Sequence, residues 1–219
     1  MKTKFYFIAS LFLFIFFILF TILVICVDVQ PIGPNFSSVG LATINGFFRD
    51  SVGYNPIWYK ITELIGFSAI FTVLGFASFG LFQLVERKSL LKVDSDIYIL
   101  GGLYLLVAAV YYFFEINIIN YRPVIINGEP EASFPSSHVM LICTIMGSAI
   151  MQFINRTKNK KLLFSAVTIY SVIIAITGIG RLLSGVHWFS DIIGSLILSG
   201  SLLMLYNSCI LFFRRKKSV

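Results

Sequence analysis

Charge, proline and histidine are all scarce in this sequence. Only 12% of the 219 residues are charged, about half the share usual in a soluble domain. So little charge cannot dress a soluble globule, which excludes a cytosolic enzyme and a disordered tail. The three cysteines, Cys26, Cys143 and Cys209, are odd in number, widely spaced and without a C-x-x-C pair. That excludes a disulfide framework and a zinc site, and they read as small buried hydrophobes. The sequence also has no H-E-x-x-H, no Asp cluster and no glycine-rich Walker loop, so neither a metal nor another cofactor is expected. What it has in excess is apolar: 58% hydrophobic residues, 23 of them Phe, with a mean hydropathy of +0.90. An integral membrane protein is expected.

Apolar runs divide the chain into six segments, approximately 5–27, 62–85, 97–119, 136–155, 162–181 and 188–213. A helix needs about 20 residues to cross a hydrocarbon core. Barrel strands would instead be short alternating segments, which are absent. The expected fold is therefore all-α, a single polytopic membrane domain over residues 1–219 with six transmembrane helices. The first run is long for a signal-peptide core and lacks a small-residue cleavage site before Asp28, so it reads as a retained span. A short amphipathic stretch around Val39–Phe48 reads as interfacial.

The net charge of +7 suggests nucleic acid until its location is considered. Lys2, Lys4, Arg87, Lys88, Lys92, Arg156, Lys158, Lys160, Lys161 and Arg214–Lys217 all fall on one side of the six spans. Arg49, Lys60, Arg122 and Arg181 fall on the other. The positive-inside rule then puts both termini in the cytoplasm of a multi-pass cell-membrane protein. The partners expected are the bilayer and a lipid phosphate, not nucleic acid.

Ionisable groups inside spans need a partner or a task, and several cluster at the outer ends of spans three to six. The chain runs Glu115-x6-Arg122-Pro123, then Pro135-Ser136-Ser137-His138, then Arg181-x5-His187-x3-Asp191. Both histidines of the protein belong to this set, and the topology brings all three segments to one membrane level. His187 and Asp191 are i, i+4 on one helix face, so the carboxylate can hold one imidazole nitrogen and leave the other free as nucleophile or base. Arg122 and Arg181 offer planar forks for phosphate oxygens. Pro135-Ser136-Ser137-His138 opens span four, with Pro135 in the first turn, and a helix N-terminus presents free N–H groups to an anion. His138 can deliver a proton to a leaving oxygen. Together these describe a phosphate-ester site.

The ordered set resembles the type-2 phosphatidic acid phosphatase superfamily, which includes vanadium-dependent haloperoxidases and whose motifs are written K-x6-R-P, P-S-G-H and S-R-x5-H-x3-D. The resemblance implies a membrane lipid phosphatase with an extracytoplasmic site and no metal. It implies that His187 attacks phosphorus to form a phosphohistidine, that Asp191 orients it, and that His138 protonates the leaving group. Arg122, Arg181, Ser136 and Ser137 would bind phosphate. Candidate substrates are undecaprenyl diphosphate, phosphatidylglycerol phosphate and phosphatidic acid, with carrier-lipid recycling preferred. A lipid phosphotransferase and a non-catalytic lipid-phosphate binding or transport protein are the alternatives.

Three residues depart from the pattern: Glu115 stands for Lys, Ser137 for Gly and Gly180 for Ser. Glu115 is expected to tune the site, by pairing with an arginine or by donating to phosphate. Asn117, Asn120 and Tyr121 are expected to cap a helix end, Glu129 and Glu131 to be solvated, and Trp188 to anchor the interface.

Overall fold

The computed structural model describes residues 2–126 and 128–217, with side chains through Arg215. It is helical throughout: α1 Lys2–Cys26, α2 Ala42–Val52, α3 Pro56–Arg87, α4 Ser95–Ile116, α5 Ser137–Arg156, α6 Lys160–Leu183 and α7 Phe189–Lys217. All but α2 are long and apolar enough to span a membrane. The all-α, six-span architecture is the one expected. Phe71, Leu105 and Phe164 are 72–75% exposed, which water would penalise and lipid tails accommodate.

Capping explains where the helices begin and end. Asn55 accepts hydrogen bonds from the backbone N–H of Ile57 (3.0 Å) and Trp58 (3.2 Å), and Pro56 follows as the first helical residue. This cap starts α3 at Pro56, ahead of the expected residue 62, so Glu63 lies past the first turn of a continuous helix. Asn117 stops α4 by returning its amide to the Phe113 carbonyl (2.9 Å), short of the expected residue 119. The amphipathic stretch forms α2 slightly later than expected, after Leu41 at φ 49°. Buried Asn45 ties α2 to the start of α7. Its Nδ2 donates to Ser190 Oγ (3.0 Å), and its Oδ1 accepts from the Ser190 N–H (3.0 Å).

Helix α5 is the central pillar, burying Val139, Met140, Ile142, Cys143, Ile145, Met146 and Ala149 against its neighbours. Helix α1 runs along α7, and each hydroxyl of Ser10 and Ser201 donates to the other's carbonyl at 2.9 Å. Small polar residues of this kind allow helices to approach closely in lipid.

The bundle has two polar ends. At one, the ends of α3, α5 and α7 meet the start of α4. Arg156 donates from Nε to Gln152 Oε1 (2.6 Å), from Nη1 to Asp94 (2.9 Å) and from Nη2 to Asp96 (2.7 Å). Arg87 adds a second bond to Asp94 (2.8 Å). Partial burial of the Asp94 carboxyl opposes ionisation, but bonds from Arg87, Arg156 and Gln83 outweigh it and bring its pKa down to about 2. A depressed folded pKa contributes stability above the ordinary carboxylate value of 3.8. That contribution is lost as pH falls from there toward 2. Arg156→Ala strips three bonds at once and is expected to destabilise by about 2 kcal/mol, read as a lower Tm in detergent. The opposite end carries the conspicuous sequence motifs.

Candidate active site

The second polar end is assembled from four places in the chain. Helix α6 ends in a turn at Gly185, φ 68°, where a Cβ would lie 2.0 Å from the Gly53 carbonyl oxygen. Only glycine fits that conformation and approach together. The turn delivers His187 just ahead of α7. Asp191, in the first turn of α7, reaches back to accept from the Trp188 N–H (2.8 Å), half of a capping box.

Between α4 and α5 the chain folds back on itself. The Arg122 N–H donates to the Glu131 carbonyl and the Ser133 N–H to the Asn120 carbonyl, both at 3.0 Å, around a bridge between Tyr121 and Ala132. This pairing inserts Ser133 between His187 and Asp191. Ser133 Oγ donates to Asp191 Oδ2 (2.5 Å), which leaves it to accept from His187 Nδ1 (3.2 Å). Asp191 Oδ2 is itself 3.5 Å from Nδ1. The relay puts the imidazole proton on Nδ1 and the lone pair on Nε2. Nε2 is buried without a hydrogen-bonding partner among the described residues. Burial first, then the charges of Arg122, Arg181 and His138, hold the His187 pKa well below its ordinary value. The ring is therefore neutral at physiological pH, as a nucleophile must be.

Two arginines flank it. Arg181 is fully buried, with its Cζ 5.4 Å from the centre of the Tyr59 ring and its Nη2 2.5 Å from Glu63 Oε1. Its Nε and Nη1 are unpartnered among the described residues, as is Nε of Arg122. Arg122 Nη1 pairs with Glu131 Oε2 at 2.7 Å. Ser136 caps α5 with a buried Oγ that has no partner among the described residues, and its carbonyl accepts from Ser195 Oγ (2.9 Å). His138, one residue into the helix, turns Nε2 toward Glu63 Oε1 at 3.2 Å. Unpaired donors converging at a helix N-terminus form an anion site.

Several expectations need correction. Glu131 is the partner of Arg122, not a solvated loop residue, because the hairpin folds it over the arginine. Among the described residues the carboxylates paired with the two arginines are Glu131 and Glu63, so Glu115 does not fill that role. Glu115 is exposed, at a small cleft with Tyr111, Pro135 and Ser137. Trp188 is 1% exposed and donates from Nε1 to the Tyr121 carbonyl (2.7 Å), locking hairpin to turn instead of anchoring an interface. Asn120 is buried within that hairpin rather than capping α4. Pro135 precedes the Ser136 cap instead of occupying the first turn. Glu63 and Ser133 were not singled out by the motifs at all. The sign for Glu63 was a carboxylate just inside a span; Ser133 carried none.

Gly180, where the motif has Ser, has a packing reason. A Cβ there would meet Thr62 Cγ2 at 2.6 Å and the Trp58 ring at 3.1 Å, so the glycine lets α3 close on α6 and bring Glu63 to Arg181. Gly180→Ser is expected to lower stability by about 1–3 kcal/mol through overpacking and to reduce activity. Thermal melts and phosphate release would show this.

Comparison with known families now bears directly on the site. The PAP2 superfamily profile matches residues 67–215, most of the chain and all three motif histidine and arginine segments. The chain belongs to the PAP2 superfamily. As a multi-pass member it is a membrane phosphatase of the hydrolase class. A crystal structure described as the first transmembrane PAP2 type phosphatidylglycerolphosphate phosphatase from Bacillus subtilis shares the fold. The TM-score is 0.59 at 20% identity, covering 95% of this chain and 96% of that one. No curated protein sequence matches the chain.

Proposed function

We propose that this PAP2 protein hydrolyses the phosphate ester or diphosphate of a membrane lipid through a phosphohistidine on His187. The observation that carries the reading is the neutral, buried Nε2 of His187, without a hydrogen-bonding partner among the described residues and within the field of Arg122 and Arg181. Nε2 attacks phosphorus as the bond to the leaving oxygen breaks, and protonated His138 gives that oxygen its proton. Water then attacks phosphorus as the P–N bond breaks and its electron pair returns to Nε2, His138 takes the proton released, and inorganic phosphate departs. Asp191 and Ser133 keep the proton on Nδ1 and stabilise the imidazolium character that develops. Arg122, Arg181, the Ser136 hydroxyl and the N–H groups opening α5 hold the equatorial oxygens, where charge is concentrated during transfer. These side chains supply the whole reaction, so release should persist with a chelator present.

The amphiphilic class of substrate is supported by a groove of about 400 Å³ between α3 and α5. Glu63 and His138 line one end, and Gly66, Phe67, Ile70, Leu74, Ile142 and Ile145 line the rest. Phe67, Ile70 and Leu74 are more than half exposed, so the groove opens sideways toward lipid. From Glu63 to Leu74 it follows α3 for about 16 Å at 1.5 Å per residue, enough for part of a tail while the phosphate sits at His187. Undecaprenyl diphosphate, phosphatidylglycerol phosphate and phosphatidic acid all meet that description. The basic opposite end supports cytoplasmic termini and an outward-facing site in the cell membrane.

The test is phosphate release from a panel of these three lipids by purified protein in detergent with a chelator. Release that requires added metal would overturn the mechanism. Phosphate passed to a second lipid or sugar in place of water would identify a phosphotransferase.

A further inference from the structure

Glu63 lies before the segment matched by the family profile, which starts at residue 67, yet it touches two site residues at once. Its Oε1 is 2.5 Å from Arg181 Nη2 and 3.2 Å from His138 Nε2. Two close approaches hold it there. Gly180 admits Thr62 and Trp58 against α6, and Gly66, one turn beyond Glu63, sits where an added Cβ would be 3.3 Å from the His138 ring. Glu63 and His138 are the polar residues at the end of the α3–α5 groove. His138 Nδ1 is buried, so Nε2 is the nitrogen facing that end.

Glu63 and His138 are in contact at 3.2 Å, so a lipid lying in the groove with its terminal phosphate at His187 must pass its linking atoms alongside that pair. The chemistry of the leaving group decides what Glu63 meets. Cleaving a monoester breaks one P–O bond, and the oxygen leaves, protonated by His138, on a neutral alcohol. Cleaving a diphosphate breaks the bridging P–O bond, and the departing group is the tail-bearing phosphate, still anionic after taking the proton. In the first case Glu63 faces an uncharged group. In the second it faces a like charge, which is destabilising at short range and only partly screened at a half-exposed carboxylate.

We propose that Glu63 is a specificity-determining residue that selects lipid phosphate monoesters over lipid diphosphates by placing a negative charge on the leaving-group side of the site. The inference rests on the hydrolase reading and deepens it. It also turns the substrate preference away from the polyprenyl diphosphate that short, outward-facing members of this kind first suggest.

The test compares farnesyl phosphate with farnesyl diphosphate, which share one tail and differ only in the leaving group. Wild type is expected to have the higher kcat/KM on the monophosphate. Glu63→Gln, which keeps the shape and removes the charge, should shift the ratio toward the diphosphate by about tenfold. Glu63→Asp, which keeps the charge, should leave the preference in the wild-type direction. The Tm of each variant separates misfolding from selection. A Glu63→Gln protein with native Tm and an unchanged ratio, or with equal losses on both substrates, would overturn the proposal. Binding of the same two ligands, read as ligand-induced shifts in Tm, gives the ratio independently of turnover. Absence of phosphate release by wild type from both substrates and from the three-lipid panel would thus refute the hydrolase reading, while the binding ratio still decides the role of Glu63.

Discussion

If His187 is the nucleophile proposed, His187→Ala is expected to abolish phosphate release, by about 10⁴-fold or more, because among the described residues no other side chain is placed to take over that role. Nε2 of His187 is the buried imidazole nitrogen held free by the Ser133–Asp191 relay. Binding should survive, since Arg122, Arg181 and the start of α5 are untouched, so lipid should still protect the variant against heat. The fold should survive as well, since burying an imidazole between two arginines is a functional strain rather than a source of stability. The depressed pKa of His187 gives a second readout. Below its ordinary value of 6.5 the unfolded chain binds a proton that the native chain excludes. That part of the stability is therefore full above 6.5 and declines as pH falls toward the depressed native value. Wild type should lose Tm on acidification below pH 6.5 more steeply than His187→Ala does. Its activity should show no acid limb at 6.5 due to His187, which remains neutral in the fold.

Asp191→Asn is expected to reduce kcat by about 10³-fold or more while leaving substrate binding nearly intact, as tautomer errors do in histidine-based sites. Asp191 Oδ2 accepts from both Ser133 Oγ and the Trp188 N–H. An amide has one oxygen and one NH₂ group. If its oxygen serves Trp188 and its nitrogen faces Ser133, the hydroxyl becomes an acceptor and no longer relays the carboxylate to Nδ1. The ring is then free to carry its proton on Nε2, where it cannot attack phosphorus. The variant should bind lipid phosphate with a Kd close to wild type, and its pH profile should not recover the lost rate. A loss shared equally between kcat and binding would point to a collapsed site instead. Ser133→Ala removes the same relay from its other side and should mimic the effect in milder form.

The sequence made the six spans legible because lipid imposes a simple rule: an uncharged run of sufficient length has few alternatives to a helix. Arg122, His138, Arg181, His187 and Asp191 were legible for the converse reason, as expensive groups near a membrane. The structure brings all five to one end of the bundle. What stayed hidden depends on pairings across the chain. Ser133 is an ordinary serine until a hairpin whose ends sit at Asn120 and Ser133 slots it between His187 and Asp191. Glu131 looks like a solvated loop residue until the same hairpin lays it on Arg122. Glu63 sits more than a hundred residues from Arg181, and the close approach of Gly180 to Thr62 and Trp58 joins them. Glu115 breaks the motif by reversing a charge, yet α4 carries it to an exposed cleft while other carboxylates hold the arginines. Spacing along the chain named the motif residues, while the hairpin and the packing of α3 on α6 chose their partners.

The most direct test of the account is chemical capture of the intermediate. Purified protein mixed with a lipid phosphate and quenched rapidly in alkali, where phosphohistidine survives, should carry one phosphoryl group on the peptide containing His187. That group should be lost in acid and absent from His187→Ala. Rapid phosphate release with His187 unmodified at every time sampled would contradict the covalent mechanism, and would mean that water attacks phosphorus directly.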